Sequence, residues 1–355
     1  MRATALRNWQ LEYVELPDPT PGPGQVLTRV LACGICGSDL HLVRHGAAQQ
    51  QLSIELEADL PPDPMRPKRL DPSRPVVMGH EFCCEVIEVG HDATNLRVGD
   101  IVVSMPGIYD ANGVYALGFA NEYPGGYAEL MVLSDVLALK VPDGVTPRVA
   151  ALTEPLAVGI HAVAKSRITQ GDAAVVLGCG PVGLAVIAAL RLVGIGPIVA
   201  SDYSPARRRL AEQLGADHVV DPLDTSPITT WRAIDGMRPL VVFEAVGVPG
   251  MIETAMRMAP KDGRVLIVGA CMEPDTFQPI IGIGREHTLQ FALAYEPTEF
   301  AAALNAIASG RVDLEPLITG SVSVEGVAEA FAELTNPDRH AKILVEPARY
   351  PGVHG

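Results

Sequence analysis

The chain lacks any uncharged apolar run of membrane-spanning length, which is about 20 residues. It also lacks an apolar segment behind Met1-Arg2-Ala3-Thr4, where a secretory signal carries one, so the expected location is the cytoplasm. A basic excess is missing too. The formal charge is −15, which argues against binding nucleic-acid phosphates as a main task. Cysteine is thinly spread: Cys33, Cys36, Cys83, Cys84, Cys179 and Cys271 do not have the density of a disulfide scaffold. No second C-x-x-C accompanies Cys33 and Cys36 to complete a four-sulfur zinc site, so the last four cysteines read as small buried side chains. No internal repeat is found.

What is present is room for two domains. The 355 residues are 48% hydrophobic and 19% charged, the composition of a globular protein with sizeable cores. Residues 1 to about 150 read as short strands broken by glycine and proline, among them Gln25 to Ala32, Phe82 to Val89 and Gly99 to Val103. From about 155 to 294 strands alternate with helices. Strands are expected at Ala173–Leu177, Ile198–Ser201, His218–Val220, Leu240–Glu244, Arg264–Val268 and Thr288–Phe291, with helices over 181–193, 205–214 and 249–259. That alternation predicts an α/β, parallel, doubly wound sheet. A helix over Pro297–Ser309 capped by Thr298, another over Val324–Leu334 and a strand over Ala341–Val345 complete the tail, which is expected to return to the first domain. Between Arg44 and Pro75 the chain is polar and then proline-rich, which predicts a stiff, extended loop.

Gly178-Cys179-Gly180-Pro181-Val182-Gly183 follows one predicted strand and opens a predicted helix. Glycines there let the backbone turn tightly and approach a pyrophosphate, whose charge sits on the helix N-terminus. Nineteen residues past Gly183, after a second strand, stands Asp202. A carboxylate in that place accepts hydrogen bonds from the adenosine ribose and repels a 2′-phosphate, so the pair points to NAD. A glycine turn also serves simply to pack a helix on a strand. Arg207-Arg208-Arg209, on a predicted helix, reads either as a solvated face or as a cofactor contact.

The N-terminal half holds a second constellation. Gly34-Ile35-Cys36-Gly37-Ser38-Asp39-Leu40-His41 is followed by Gly79-His80-Glu81, and Glu154-Pro155 stands at the expected domain junction. A thiolate, an imidazole and a carboxylate suit a catalytic zinc with one position left open. Each residue also has a simpler reading: a buried thiol for Cys36, a turn residue for His80, a helix-start carboxylate for Glu154.

Read together, these motifs resemble the medium-chain, zinc-dependent alcohol dehydrogenases, above all the branch of sorbitol, threonine and butanediol dehydrogenases. Gly125 to Glu129, Phe243 to Gly247 and Gly263-Arg264-Val265 add to the match, which covers essentially the whole chain. The resemblance implies a GroES-like catalytic domain (residues 1–155 and 295–355), a Rossmann NAD-binding domain (156–294), and an active site in the cleft between them. It implies that Cys36 and His80 are zinc ligands, with Glu154 in the place of the third. Glu81 is the nearby carboxylate that exchanges with water on the metal, and Asp39 orients the ligand histidine. Gly178, Gly180, Pro181, Val182, Gly183, Asp202 and Arg207 would hold the phosphates and adenosine half of NAD. Val268, Ala270 and Phe291 to Leu293 would grip the nicotinamide. Ser38 and His41 would relay the proton released from the alcohol, and the imidazole's ordinary pKa suits that task near neutrality.

Two departures stand out. Many relatives carry a second, structural zinc on a lobe of four closely spaced cysteines after the Gly-Asp-x-Val strand. Here Gly99-Asp100-Ile101-Val102 is present but Met105 to Pro124 contains no cysteine, so one zinc per chain is expected. The stretch from His41 to His80 is roughly twice as long as the family pattern, and is expected to form a cleft wall or lid, or else a subunit contact. The expected activity is hydride transfer between NAD and a secondary alcohol, either a polyol or an apolar or cyclic one, by a homo-oligomer with a tetramer favoured over a dimer. The competing readings are a metal-free quinone or enoyl reductase on the same scaffold, and a non-catalytic NAD-sensing zinc protein.

Overall fold

The computed structural model describes residues 1–347 apart from Pro62 and Pro64. The chain forms two units. One comprises Met1–Glu154, Ile318–Thr335 and the chain from Lys342 onward; the other comprises Pro155–Leu317 and Asn336–Ala341. The tail therefore joins the first unit at Ile318, and the helix Pro297–Ala308 groups with the second unit.

The first unit is a β structure. A seven-stranded sheet runs in the order Ala138–Lys140, Ile101–Ser104, Glu81–Val89, Gln25–Gly34, Lys342–Val345, Ile318–Val322, with Leu130–Ser134 also paired to Gln25–Gly34. Its central strand Gln25–Gly34 (QVLTRVLACG) is almost continuously buried, as a strand covered on both faces should be. The sheet brings distant segments together. Leu344 pairs with Gly34 and Val345 with Cys33, and the Ile35 N–H donates to the Ile343 carbonyl at 3.0 Å.

The second unit carries a six-stranded parallel sheet in the order His218–Val220, Ile198–Ser201, Ala173–Leu177, Leu240–Glu244, Arg264–Ile267, Thr288–Phe291. The order of these strands reverses around Ala173–Leu177, which is the doubly wound pattern. Pro181–Leu192, Pro205–Gln213 and Met251–Met258 are helical. Helix Pro297–Ala308 is not capped by Thr298. Its first turn is closed by Glu299, whose carboxylate accepts the Glu296 N–H at 2.7 Å, so Thr298 lies inside the helix.

The expected extended loop after Arg44 is corrected in its first half, where one helix runs from Gly37 to Glu57. Ala47-Ala48-Gln49-Gln50-Gln51-Leu52 is a run of good helix formers without a breaker. Side chains one turn apart bond along it, Gln51 to Glu55 and Ser53 to Glu57, each at 2.8 Å. The proline-dense part then falls after the helix, where no regular element forms among the described residues. Cys271 is also only partly buried, unlike Cys83, Cys84 and Cys179.

Candidate active site

Cys36 is the N-cap of helix Gly37–Glu57. Asp39 folds back so that its Oδ2 accepts the Cys36 N–H at 2.9 Å, closing the first turn and fixing Cys36 at the positive end of the helix dipole. His80 comes from another direction, out of the turn between Val76–Val77 and Glu81–Val89. That turn depends on Gly79, at φ 93°, where a Cβ would stand 2.7 Å from the Tyr127 ring and 2.9 Å from Cys33 Sγ. Glu81 opens the following strand.

The donor atoms of Cys36, His80 and Glu81 lie within 4.8 Å of one another. Sulfur, imidazole nitrogen and carboxylate oxygen in this proximity are the donor set of a zinc site. The ring of His80 is oriented for it. Nε2 lies 3.4 Å from the Ser38 hydroxyl, on the helix that carries Cys36, while Nδ1 lies 3.4 Å from Asp39 Oδ1. That polarity, one nitrogen toward the donors and one toward a carboxylate, is what a ligand histidine needs. The residues present fit a zinc ion.

Asp39 is fully buried and also accepts the Tyr127 hydroxyl at 2.6 Å. Burial raises its pKa, but the His80 ring, the Tyr127 hydroxyl and the Cys36 N–H together bring it below the usual carboxylate range. Burial works against a charged His80, yet Asp39 and Cys36 outweigh it and the ring is drawn well above its ordinary pKa.

One residue was not signalled by any motif. Lys342 is 1% exposed, and its Nζ donates to both Glu81 oxygens, at 2.8 and 2.7 Å, and to the Ile35 carbonyl at 3.0 Å. All three ammonium protons are thus used. Burial pulls its pKa down, but Glu81, Cys36 and Glu154 leave it raised overall. The signal in the sequence was a lone lysine in the apolar run Ala341-Lys342-Ile343-Leu344-Val345. Glu154, in the first turn of helix Thr153–Ser166, is buried and near enough to act on Lys342, but it is not one of the three residues whose donor atoms converge. Phe119 lies against the centre, its ring 5.3 Å from that of His80. His41 is five residues beyond Cys36 on the same helix and half-buried. His161, by contrast, is buried against Glu299 at 2.7 Å, as a packed histidine would be.

The second unit carries the dinucleotide motif. Strand Ala173–Leu177 ends at Gly178, φ 90°, and helix Pro181–Leu192 begins after Gly180 with Pro181 in its first turn. A Cβ on Gly183 would stand 1.9 Å from the Gly178 carbonyl oxygen, so only glycine lets the helix close onto the turn. Asp202, just past strand Ile198–Ser201, accepts the Cys179 N–H and the Ser204 N–H, each at 2.8 Å. Arg207 Nη1 stands 4.0 Å from Asp202, and its buried Nε has no hydrogen-bond partner among the described residues. A glycine turn, a free helix start, a carboxylate and a guanidinium gathered there fit a dinucleotide. Val268 and Ala270 follow strand Arg264–Ile267, and Phe291 ends the edge strand with Leu293 exposed beyond it. These are carboxyl ends of parallel strands, where such sheets bind ligands.

Comparison with known proteins agrees with this geometry. The family described as "Zinc-binding dehydrogenase" matches residues 181–309, and "Alcohol dehydrogenase GroES-like domain" matches residues 22–143. (R,R)-butanediol dehydrogenase of Bacillus subtilis (strain 168) is 34% identical over 353 residues, covering 95% of this chain and 96% of that one. Sorbitol dehydrogenase of Gallus gallus is 31% identical over 355 residues, covering 96% and 94%. The crystal structure of 2R,3R-butanediol dehydrogenase from Bacillus subtilis superposes with a TM-score of 0.81 at 32% identity, covering 98% of this chain and 99% of that one.

Proposed function

The chain belongs to the zinc-dependent medium-chain alcohol dehydrogenases, NAD-linked oxidoreductases, and on that premise we propose that it oxidises a secondary alcohol to the ketone, reversibly, with NAD and a single zinc ion. The observation that carries this reading is the meeting of the Cys36, His80 and Glu81 donor atoms within 4.8 Å, beside a serine hydroxyl. Metal-free reductase chemistry has no use for such a set. Relatives named for butanediol and sorbitol favour the diol and polyol class. Phe119 beside His80 offers an apolar wall, which leaves the apolar and cyclic alcohols as the second class to test.

When bound, zinc supplies the Lewis acidity that eases loss of the alcohol proton, and NAD supplies the hydride acceptor. The chain's own residues do the rest. Cys36, His80 and Glu154 would hold the ion, with Glu81, whose donor atom converges with those of Cys36 and His80, at hand as a further ligand. Asp39 keeps His80 Nδ1 protonated, so that Nε2 presents its lone pair. Ser38 accepts the substrate proton and His41 carries it onward. His41→Gln slows oxidation mainly at lower pH, where bulk hydroxide cannot replace the relay; a pH–rate profile unchanged by the substitution removes His41 from that role. Asp202 favours NAD over NADP by repelling a 2′-phosphate.

One zinc per chain follows from the absence of cysteine between Met105 and Pro124. The expected homo-oligomer has support in the second unit. Among the described residues strand Thr288–Phe291 ends its sheet with one edge unpaired, and Phe291 and Leu293, in and just after it, are exposed. An uncharged edge strand unpaired on one side invites a strand from a second copy. No helix among the described residues is long and apolar enough to cross a membrane, and the cytoplasm is the proposed location. A panel of diols, polyols and cyclic alcohols with NAD and NADP, run beside zinc quantitation, tests the reading. No NADH from any alcohol, or two tightly held zinc ions, would contradict it.

A further inference from the structure

His41 shares its helix with a second imidazole. His45 follows one turn later, and the two ring centroids are 6.1 Å apart with the planes tilted by 43°. Residues four apart on a helix face each other. A ring separation of this size exceeds a direct hydrogen bond, which brings heavy atoms to about 3 Å, and suits a bridge through one water. The backbone carrying His45 is fixed from outside. Gly46 lies against the indole of Trp9, so closely that a Cβ there would stand 2.1 Å from the ring.

One face of this helix is buried, at Asp39, Leu42 and Gly46. Asp39 is fully buried, His41 and His45 are partly buried, and Ala47, Ala48 and Gln49 are exposed. The two imidazoles lie on the helix that starts at Cys36, both partly open to water, with His45 one turn further from Cys36 along the chain than His41. The charged neighbours of His41 are Arg44 and His45, both on its own helix; burial first, and then these two, lower its pKa. A proton on His41 is thus less favoured than one on an isolated, solvated imidazole, and moves outward readily.

We propose that His45 is the second station of the proton path, receiving through one water the proton that His41 takes up and releasing it to solvent. The N–H bond on His41 breaks, a water O–H forms while another breaks, and an N–H bond forms on His45. His45 then yields that proton to water or buffer, and no electron is transferred. His45 acts only through His41 and does not touch substrate. The idea rests on the dehydrogenase reading for the role of His41.

The test uses the full-length, zinc-loaded protein and His45→Gln, a helix-compatible change at a partly exposed position. Titration of the His41 ring by nitrogen-15 NMR is expected to move to higher pH in the variant, because a like charge one turn away is gone. Alcohol oxidation in weakly buffered solution is expected to fall about tenfold with KM unchanged. It should return on adding 2,6-lutidine, a base too hindered to ligate zinc, while the unsubstituted protein is indifferent to lutidine. A His41 titration unmoved by the substitution, or a variant rate that does not respond to lutidine, overturns the proposal. Failure of the dehydrogenase reading looks different: no NADH from any alcohol in either protein.

Discussion

Lys342 and Glu81 form an ion pair in which both side chains are 1% exposed. Replacing Lys342 by methionine keeps the length and the apolar stem but leaves a carboxylate buried without its cation. Breaking a buried pair from one side costs about 3–5 kcal/mol. That full cost falls on protein stripped of zinc by a chelator. With zinc present Glu81 has a second cation within reach, because its oxygens lie within 4.8 Å of the Cys36 and His80 donor atoms. The loss should then be smaller. By linkage, the difference between the two losses appears as tighter zinc binding: if the loaded protein is spared about 2 kcal/mol, the variant binds zinc roughly 30-fold more tightly. Denaturant melts with and without chelator, together with a competition titration against a zinc indicator, measure both sides of the cycle. Adding Glu81→Gln to the variant should recover much of the lost stability, since the stranded charge is gone. Equal losses in the two states, or an unchanged zinc affinity, would refute the view that lysine and metal compete for this carboxylate.

Tyr127→Phe removes the hydroxyl that bonds Asp39 at 2.6 Å while keeping the buried ring; zinc affinity should fall about tenfold, and unchanged retention during dialysis against chelator would count against that path. His80, with its pKa raised, stabilises the zinc-stripped protein fully below the unfolded value of about 6.5. That contribution is lost as pH rises through the folded pKa, so chelator-treated protein should melt earlier between neutral and alkaline pH, and His80→Asn should flatten the trend. Asp202→Ala removes the charge that repels a 2′-phosphate, one bond to the glycine turn at Cys179 and one to the N-cap Ser204. KM for NAD should rise about tenfold or more, and the ratio of kcat/KM for NADP to that for NAD should rise with it; a ratio that stays put assigns Asp202 to the turn alone.

Half of the fold was legible because its physics is local. Parallel strands buried on both faces are short apolar runs, and Ala173–Leu177, Ile198–Ser201 and Leu240–Glu244 stand in the structure with the bounds their sequences predict. Cys36, Ser38 and His80 were legible as motif residues, and the sheet and helix bring them together. Lys342 was not, because its partner Ile35 is 307 residues away and only strand pairing with Gln25–Gly34 places it at the metal centre. Nor was the hydroxyl of Tyr127, since a tyrosine in a glycine-rich run reads equally well as core. The extended loop expected after Arg44 failed for another reason. The density of prolines near residue 62 dominated the reading, while the helix formers before Glu57 had already settled the matter locally.

The chain between His41 and His80 and the lobe without cysteines, the two expected departures from the family pattern, are joined in the structure. A lone two-stranded hairpin is marginally stable in water, and Gly107–Asp110 with Gly113–Ala116 is such a hairpin. Its apolar side chains Ile108, Tyr115 and Leu117 are buried. The segment before His80 supplies the polar fastening. The Lys68 N–H donates to the Val114 carbonyl at 3.0 Å, and Lys68 Nζ donates to the Tyr115 hydroxyl at 2.9 Å. Further along, Asn121 Nδ2 donates to the carbonyls of Asp71, Arg74 and Pro75 at 3.0, 3.3 and 3.2 Å. Arg74 meets Glu122 at 3.0 Å, an exposed pair that adds little by itself. Bonds of this kind contribute about 1 kcal/mol each, so the set adds to the burial of the hairpin's apolar side chains and does not by itself offset the entropy of ordering it. Since the same lobe carries Phe119 against the ring of His80, the chain between Cys36 and His80 holds in place an apolar surface beside the ligands that it connects.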